Sequence, residues 1–198
     1  MYDPTAASFY ALPFAQLALA VGGVLAWSSE YSTGTIRASL TAVPRRGRFL
    51  AAKAAVFTLV ALAVSEATTF GCFLTAQPLL AANAGHATLG QPHVIRAIVG
   101  TGIDLALIGL LGLALGGLLR HAAPAIAVIV ALLFIPYEAT EALPGWLQKY
   151  LPTLAGAQVS NVTPAPNALP AWAGLGLMAA FTAAVLAAAL VRLRTADA

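Results

Sequence analysis

Charge is what this chain lacks. Of its 198 residues only 9% are Asp, Glu, Lys or Arg, while 60% are hydrophobic, and the mean hydropathy is +0.86. Soluble domains carry roughly 25% charged residues. A water-facing surface cannot be assembled from this inventory, and an integral membrane protein is the class that fits. Cysteine occurs once, as Cys72 inside an apolar run, so no intrachain disulfide is available and the redox compartment is not specified. Lysine occurs twice, at Lys53 and Lys149, and neither belongs to a Gly-x-x-x-x-Gly-Lys-Ser/Thr loop, so no phosphate cradle is visible. His86, His93 and His121 are scattered without a metal-ligand spacing. No Ser/His/Asp set converges in the sequence. The basic residues sit beside apolar runs rather than on a face of their own, which argues against a nucleic-acid partner.

What is present is a series of apolar stretches. Crossing the hydrocarbon core takes about 20 residues of helix, and five stretches qualify: residues 9–27, 50–76, 94–119, 122–137 (short) and 171–191. The fold expected is all-α, a single polytopic membrane bundle over residues 1–198. The first stretch is not read as a cleaved signal, because residues 1–8 carry Asp3 and no basic residue. Lys and Arg favour the cytoplasmic side of a membrane. With alternating loops, one side collects Arg37, Arg45, Arg46, Arg48, Lys53, Arg120, Arg192 and Arg194, and the other only Arg96 and Lys149. That places the N-terminus outside and the C-terminus in the cytoplasm of a multi-pass protein of the cell membrane. Residues 138–170 form the longer outer connection, with five prolines and an amphipathic first part around Trp146, Leu147, Tyr150 and Leu151. One or two short interfacial helices are expected there. Trp27 and Tyr31 would mark the inner boundary and Trp172 the outer one.

Residues 30–49 form the one long polar, basic stretch. Within it Ser32 or Thr33 can cap a short helix reaching Leu40 or Val43, which Pro44 then stops. Ile36, Leu40 and Val43 share a face. Two or three turns are unstable alone in water, so that face needs a lipid surface or a partner. The residue order Glu30, Gly34-Thr35-Ile36-Arg37, Leu40, Pro44-Arg45-Arg46 and Lys53 resembles the cytoplasmic loop of ABC transporter permeases of the type-2 exporter class. The resemblance implies that this loop is a coupling helix docking on a cytoplasmic ATP-binding subunit. It implies further that a second permease subunit, identical or not, completes the route. ATP and Mg would be bound by the partner ATPase; this chain would bind no cofactor or metal and be no enzyme. Residues 143–157, with Leu151-Pro152 and Ala155-Gly156, likewise resemble the family's re-entrant outer helices. Family members usually have six spans, and this chain starts just ahead of what would be the second. Either the start is assigned too late or this is a truncated member, for which a non-transporting scaffold that keeps the docking loop is the alternative.

Ionisable residues inside spans are costly and functional by default. Glu66 and Asp104 could share a depth in the outer half of the membrane. They would line a polar route for a cationic or amphipathic substrate, or be satisfied inside the bundle with Ser65, Thr68, Thr69 and Thr101 nearby. An intramembrane enzyme using the two as an acid/base pair is a further alternative. Glu138 and Glu141 share one helix face at an outer span end, as an outer gate or a plain exposed terminus. Gly102, Gly109, Gly112 and Gly116 lie on one side of the third span and read as a packing seam, within one subunit or between two.

Overall fold

The computed structural model describes residues 3–35, 46–81, 85–139, 143–163 and 168–195, and all regular structure among them is helical. A short helix α1 (Pro4–Ala7) leads through a turn into α2 (Leu12–Ser32), and α3 spans Arg46–Ala81. Then follow α4 (Val94–Leu119), α5 (Ala122–Glu138), the short α6 (Gly145–Gln148) and α7 (Pro152–Ala157), a 3-10 turn over Gln158–Ser160, and α8 (Ala171–Thr195). Four of these, α2, α3, α4 and α8, are long and apolar enough to cross a membrane, which fits a multi-pass membrane protein. The fourth expected span, α5, has 17 residues, about 25 Å of helix against a hydrocarbon core of about 30 Å.

Several of the expected boundaries move, for physical reasons. Apolarity marks where a helix meets lipid, whereas the helix itself continues as long as its hydrogen bonds do. Thus α2 begins at Leu12, with Pro13 in its first turn where no N–H is needed, and runs on through Glu30 to Ser32. The expected loop 30–49 is shortened at both ends, since α3 already starts at Arg46. At its far end α3 passes Pro78 and reaches Ala81. Its 36 residues make about 54 Å, so it must extend past the hydrocarbon or tilt within it. Helix α4, the third expected span, has the bounds read from the sequence.

Helix α4 is the axis of the bundle. Of its most apolar stretch 78% is buried, against 17% for α3, 33% for α2 and 28% for α8. It packs on α2 most extensively, then on α3, α8 and α5. The close approach to α2 comes from missing side chains. A Cβ on Gly112 would strike the Ala20 carbonyl, one on Gly116 would lie 2.7 Å from the Val24 oxygen, and one on Gly23 would strike the Gly109 carbonyl. Gly109 itself lies under Leu19 and Phe57, and Gly117 under the Trp27 ring. Backbone meeting backbone is how helices associate in lipid, where burying Leu against Leu gains little over burying it in acyl chains. Around the seam Ala20, Val24, Ile108, Leu111, Leu115, Ala125, Ile129, Leu133 and Met178 form the central core.

The helix ends are tied differently at the two poles. At one pole the C-terminal carbonyls of α4 and α8 are satisfied by arginines: Arg192 Nη1 donates to the Leu118 oxygen at 2.6 Å, and Arg120 Nη2 to the Arg192 oxygen at 3.4 Å. Cations are favoured there by the helix dipoles. Arg120 takes a left-handed backbone, φ 62°, to close α4 before α5. At the opposite pole Asp3 caps α1 through Oδ1, while its Oδ2 accepts from Val162 N–H at 2.8 Å. Gln77, buried near the end of α3, donates to the Pro4 carbonyl and the Ser8 hydroxyl and accepts from Ala87 N–H at 2.6 Å.

The seam sets a prediction. Gly23→Ala puts a methyl into the Gly109 carbonyl and should cost about 1–3 kcal/mol, lowering the unfolding temperature of the purified protein in detergent. Gly22→Ala, whose Cβ meets nothing within 4 Å, should be neutral or stabilising by up to about 1 kcal/mol. Equal behaviour of the two variants would refute this account of the seam.

Candidate functional site

Two regions gather polar chemistry, and they lie toward opposite poles of the bundle. The first is at the basic pole, where α2 and α3 flank the polar stretch of the sequence. Glu30, in the last turns of α2, forms an ion pair with Lys53, two turns into α3. The Lys53 ammonium also lies 5.0 Å from the centroid of the Trp27 ring and 5.9 Å from that of Phe49. Both faces attract the cation. Trp27 is only 1% exposed, so it is a core residue under Lys53 rather than the interfacial marker expected. The other half of the carboxylate, Glu30 Oε2, is buried with no hydrogen-bond partner among the described residues. Beyond this pair α2 and α3 touch little. Between them a groove of about 490 Å³ opens, headed by Glu30 and Lys53, walled by Val56, Phe57 and Val60 and floored by Leu113 of α4.

The stretch itself is described only at its edges. Thr33 ends α2, its hydroxyl donating to the Ser29 carbonyl at 2.8 Å; the helix expected to be capped by Ser32 or Thr33 lies, beyond Thr35, outside the described residues. Gly34 supplies the turn with φ 72°, a conformation costly for other residues. Helical backbone resumes at Thr35. Ile36, Arg37, Leu40, Pro44 and Arg45 lie outside the described residues, and of Arg46 only the backbone, at the start of α3, is described. Gly47 packs near the Arg194 guanidinium. Thus Lys53, Arg120, Arg192 and Arg194 gather at the pole where the polar stretch begins and ends.

The second region surrounds Asp104. This residue is 6% exposed in the middle of α4, and its Oδ1 has no hydrogen-bond partner among the described residues. It lines a cavity of about 130 Å³ together with Gln16 of α2, Thr101 of α4, Tyr137 of α5 and Ser160 after α7. Phe9, Leu12, Pro13 and Leu105 supply apolar wall. The carboxylate has room because residue 156 is glycine: a Cβ there would strike Asp104 Oδ1. Helix α7 in turn is pressed onto α8, where a Cβ on Gly174 would strike the Ala155 carbonyl.

Glu66 does not join this cavity. Its carboxylate occupies the space in front of Gly102, on the α3 side of α4. Residues 102 and 104 stand about 200° apart around a helix, so Glu66 and Asp104 share a depth but lie on opposite flanks of α4. A common route or an acid/base pair made of the two is therefore corrected by the structure. The hydroxyls near them are spent elsewhere: Ser65 on the Leu62 carbonyl, Thr68 on Val64, Thr69 on Glu66 and Thr101 on Ala97. Gly102 consequently serves to admit Glu66, while Gly109, Gly112 and Gly116 form the seam with α2. Glu138 is exposed at the end of α5, and Glu141 lies outside the described residues. No group of three His, Cys, Asp or Glu side chains stands close enough to hold a metal ion among the described residues.

Gln77 and Tyr137 were not singled out by the sequence, and Asp3 and Gly156 were not singled out for these contacts. Gln77 alone offered a local signal, as an amide inside an apolar stretch. Tyr137 and Gly156 reach Asp104 from 33 and 52 positions away, which no spacing reveals. Comparison with protein-family models, curated proteins and solved structures returns no match.

The ion pair yields a prediction. Lys53→Met leaves the Glu30 carboxylate half-buried without its counter-charge and should destabilise by about 1–3 kcal/mol. The double exchange Glu30→Lys with Lys53→Glu should recover part of that loss. Thermal unfolding of the three variants beside the wild type measures both effects; no loss in the single variant would mean the pair holds nothing together.

Proposed function

We propose that this chain is the membrane-spanning permease subunit of an ATP-driven exporter of the type-2 class. It would cross the membrane five times, α5 being the short fourth span and α6 with α7 forming a partly inserted outer element. The basic pole would face the cytoplasm and the N-terminus the outside. A separate ATP-binding subunit, carrying ATP and Mg, would dock on the stretch between Thr33 and Arg46, and a second permease subunit would complete the route.

The observation that carries the reading is the Glu30–Lys53 pair. It bridges the two helices that emerge from the polar stretch, where α2 and α3 otherwise leave a groove. A displacement of that stretch by a docked ATPase would be delivered to both helices together rather than to one. Helix α2 is locked to the axial α4 through the glycine seam, so the movement would pass into the centre of the bundle as a rigid-body tilt. The clustering of Lys53, Arg120, Arg192 and Arg194 at this pole supports its cytoplasmic placement, because all of them would follow the positive-inside bias.

The decisive experiment is co-purification. With a soluble ATP-binding subunit expressed from a neighbouring reading frame, the wild-type chain should retain the ATPase through detergent extraction. Arg45→Glu with Arg46→Glu should reduce that retention at least about tenfold, the loss of two charge-assisted contacts. Unchanged retention, or cysteine labelling that places position 45 on the exterior, overturns the proposal.

A further inference from the structure

We propose that the Asp104 cavity is a binding site for a primary ammonium group, carried by a small amine with a short apolar body. The polar wall offers acceptors at Thr101, Ser160 and Asp104, beside the Gln16 amide and the Tyr137 hydroxyl, which can also donate. Thr101 spends its hydroxyl proton on the Ala97 carbonyl at 2.6 Å, and Ser160 spends its own on the Ala157 carbonyl at 2.8 Å. Each oxygen therefore presents only lone pairs to further partners. Asp104 adds an acceptor oxygen that is buried and unpartnered.

Among the described residues no Lys, Arg or His lines the cavity. The nearest basic residue along α4, Arg96, lies eight residues away, about 12 Å, and its guanidinium donates to the Asn161 carbonyl at 2.7 Å. A carboxylate in such surroundings requires a positive occupant if it is to be ionised. An alkylammonium is the complement of this lining: a single positive charge, three N–H donors and no acceptor. The rest of the wall fits its other end. Phe9, Leu12 and Leu105 are apolar, and the rings of Phe9 and Tyr137 offer faces to a cation. The volume of about 130 Å³ holds a head and a few carbons, so a longer chain would leave past Pro13, which is exposed at the edge of the bundle.

The inference deepens the export reading, which supplies only the idea that the occupant is cargo; binding itself depends on the cavity alone. It is tested on the full purified chain in lipid nanodiscs by thermal stabilisation and calorimetry. Hexylammonium chloride, hexanol, and sodium or potassium chloride at matched concentration are the probes. Hexylammonium should bind saturably and at least about tenfold tighter than hexanol, the margin of a charge-assisted contact. Asp104→Asn, which keeps the shape, should erase the difference. Should that variant not fold, Thr101→Val, which removes one acceptor oxygen, should weaken the amine severalfold and leave hexanol unchanged.

Equal binding of amine and alcohol overturns the proposal, as does an Asp104→Asn protein that still prefers the amine. So does equal stabilisation by sodium or potassium, which would make this a bare-cation site. Amine binding with no ATPase retained would remove the export reading and leave this one standing; retention of the ATPase without amine binding would do the reverse.

Discussion

Everything in this bundle depends on how closely α2 can approach α4. In water, burying apolar surface would hold the two helices together whatever their exact separation. In lipid that drive is absent, and cohesion must come from contact at van der Waals range. Gly23, Gly109, Gly112 and Gly116 remove the side chains that would hold the backbones apart. With α2 seated, α4 is enclosed, and α3, α5 and α8 pack around it using ordinary Leu, Ile, Val and Ala surfaces. Both polar regions are placed by this axis: Asp104 projects from one flank of α4, and Leu113 floors the groove beneath the Glu30–Lys53 pair.

The two regions differ in how they treat charge. At the basic pole the cation is almost over-satisfied, with a carboxylate and two aromatic rings around Lys53. At Asp104 one carboxyl oxygen, Oδ1, is buried without a hydrogen-bond partner among the described residues, and the side chain borders a cavity. A membrane protein tolerates an uncompensated carboxylate in its interior only where something else pays its desolvation. That asymmetry is why the basic pole reads as a structural and coupling element, and the Asp104 cavity as a place where something binds.

The apolar stretches and the glycine side of α4 could be read from the sequence because each is a property of one helix. Hydropathy over 20 residues and a repeat of small residues need no knowledge of neighbours. The helix ends could not be read equally well. Glu30 looked like loop because it is charged, yet the helix carries it one turn past the apolar stretch, where Lys53 balances it. Thr33 donates its hydroxyl to the end of α2, a bond that residue type alone does not reveal, since the same side chain can serve either terminus. Glu66 and Asp104 seemed a pair on depth alone. Depth is set by position along a helix, but pairing is set by angle around it, and Gly102 fixes Glu66 on the other flank. Trp27 was assigned to the interface on residue type, whereas its burial follows from Gly117, which leaves space for the indole.

The outer junction built on Gln77 has one more consequence. Its bonds to Pro4, Ser8 and Ala87 join neutral partners, so neither ionic strength nor the electrical potential across the bilayer acts on it directly. The opposite pole, held by guanidinium and ammonium groups, feels both. A change in membrane voltage would therefore act on the arginine- and lysine-held pole without loading the Gln77 bonds themselves, whereas Asp3 and Arg96 nearby carry charge of their own.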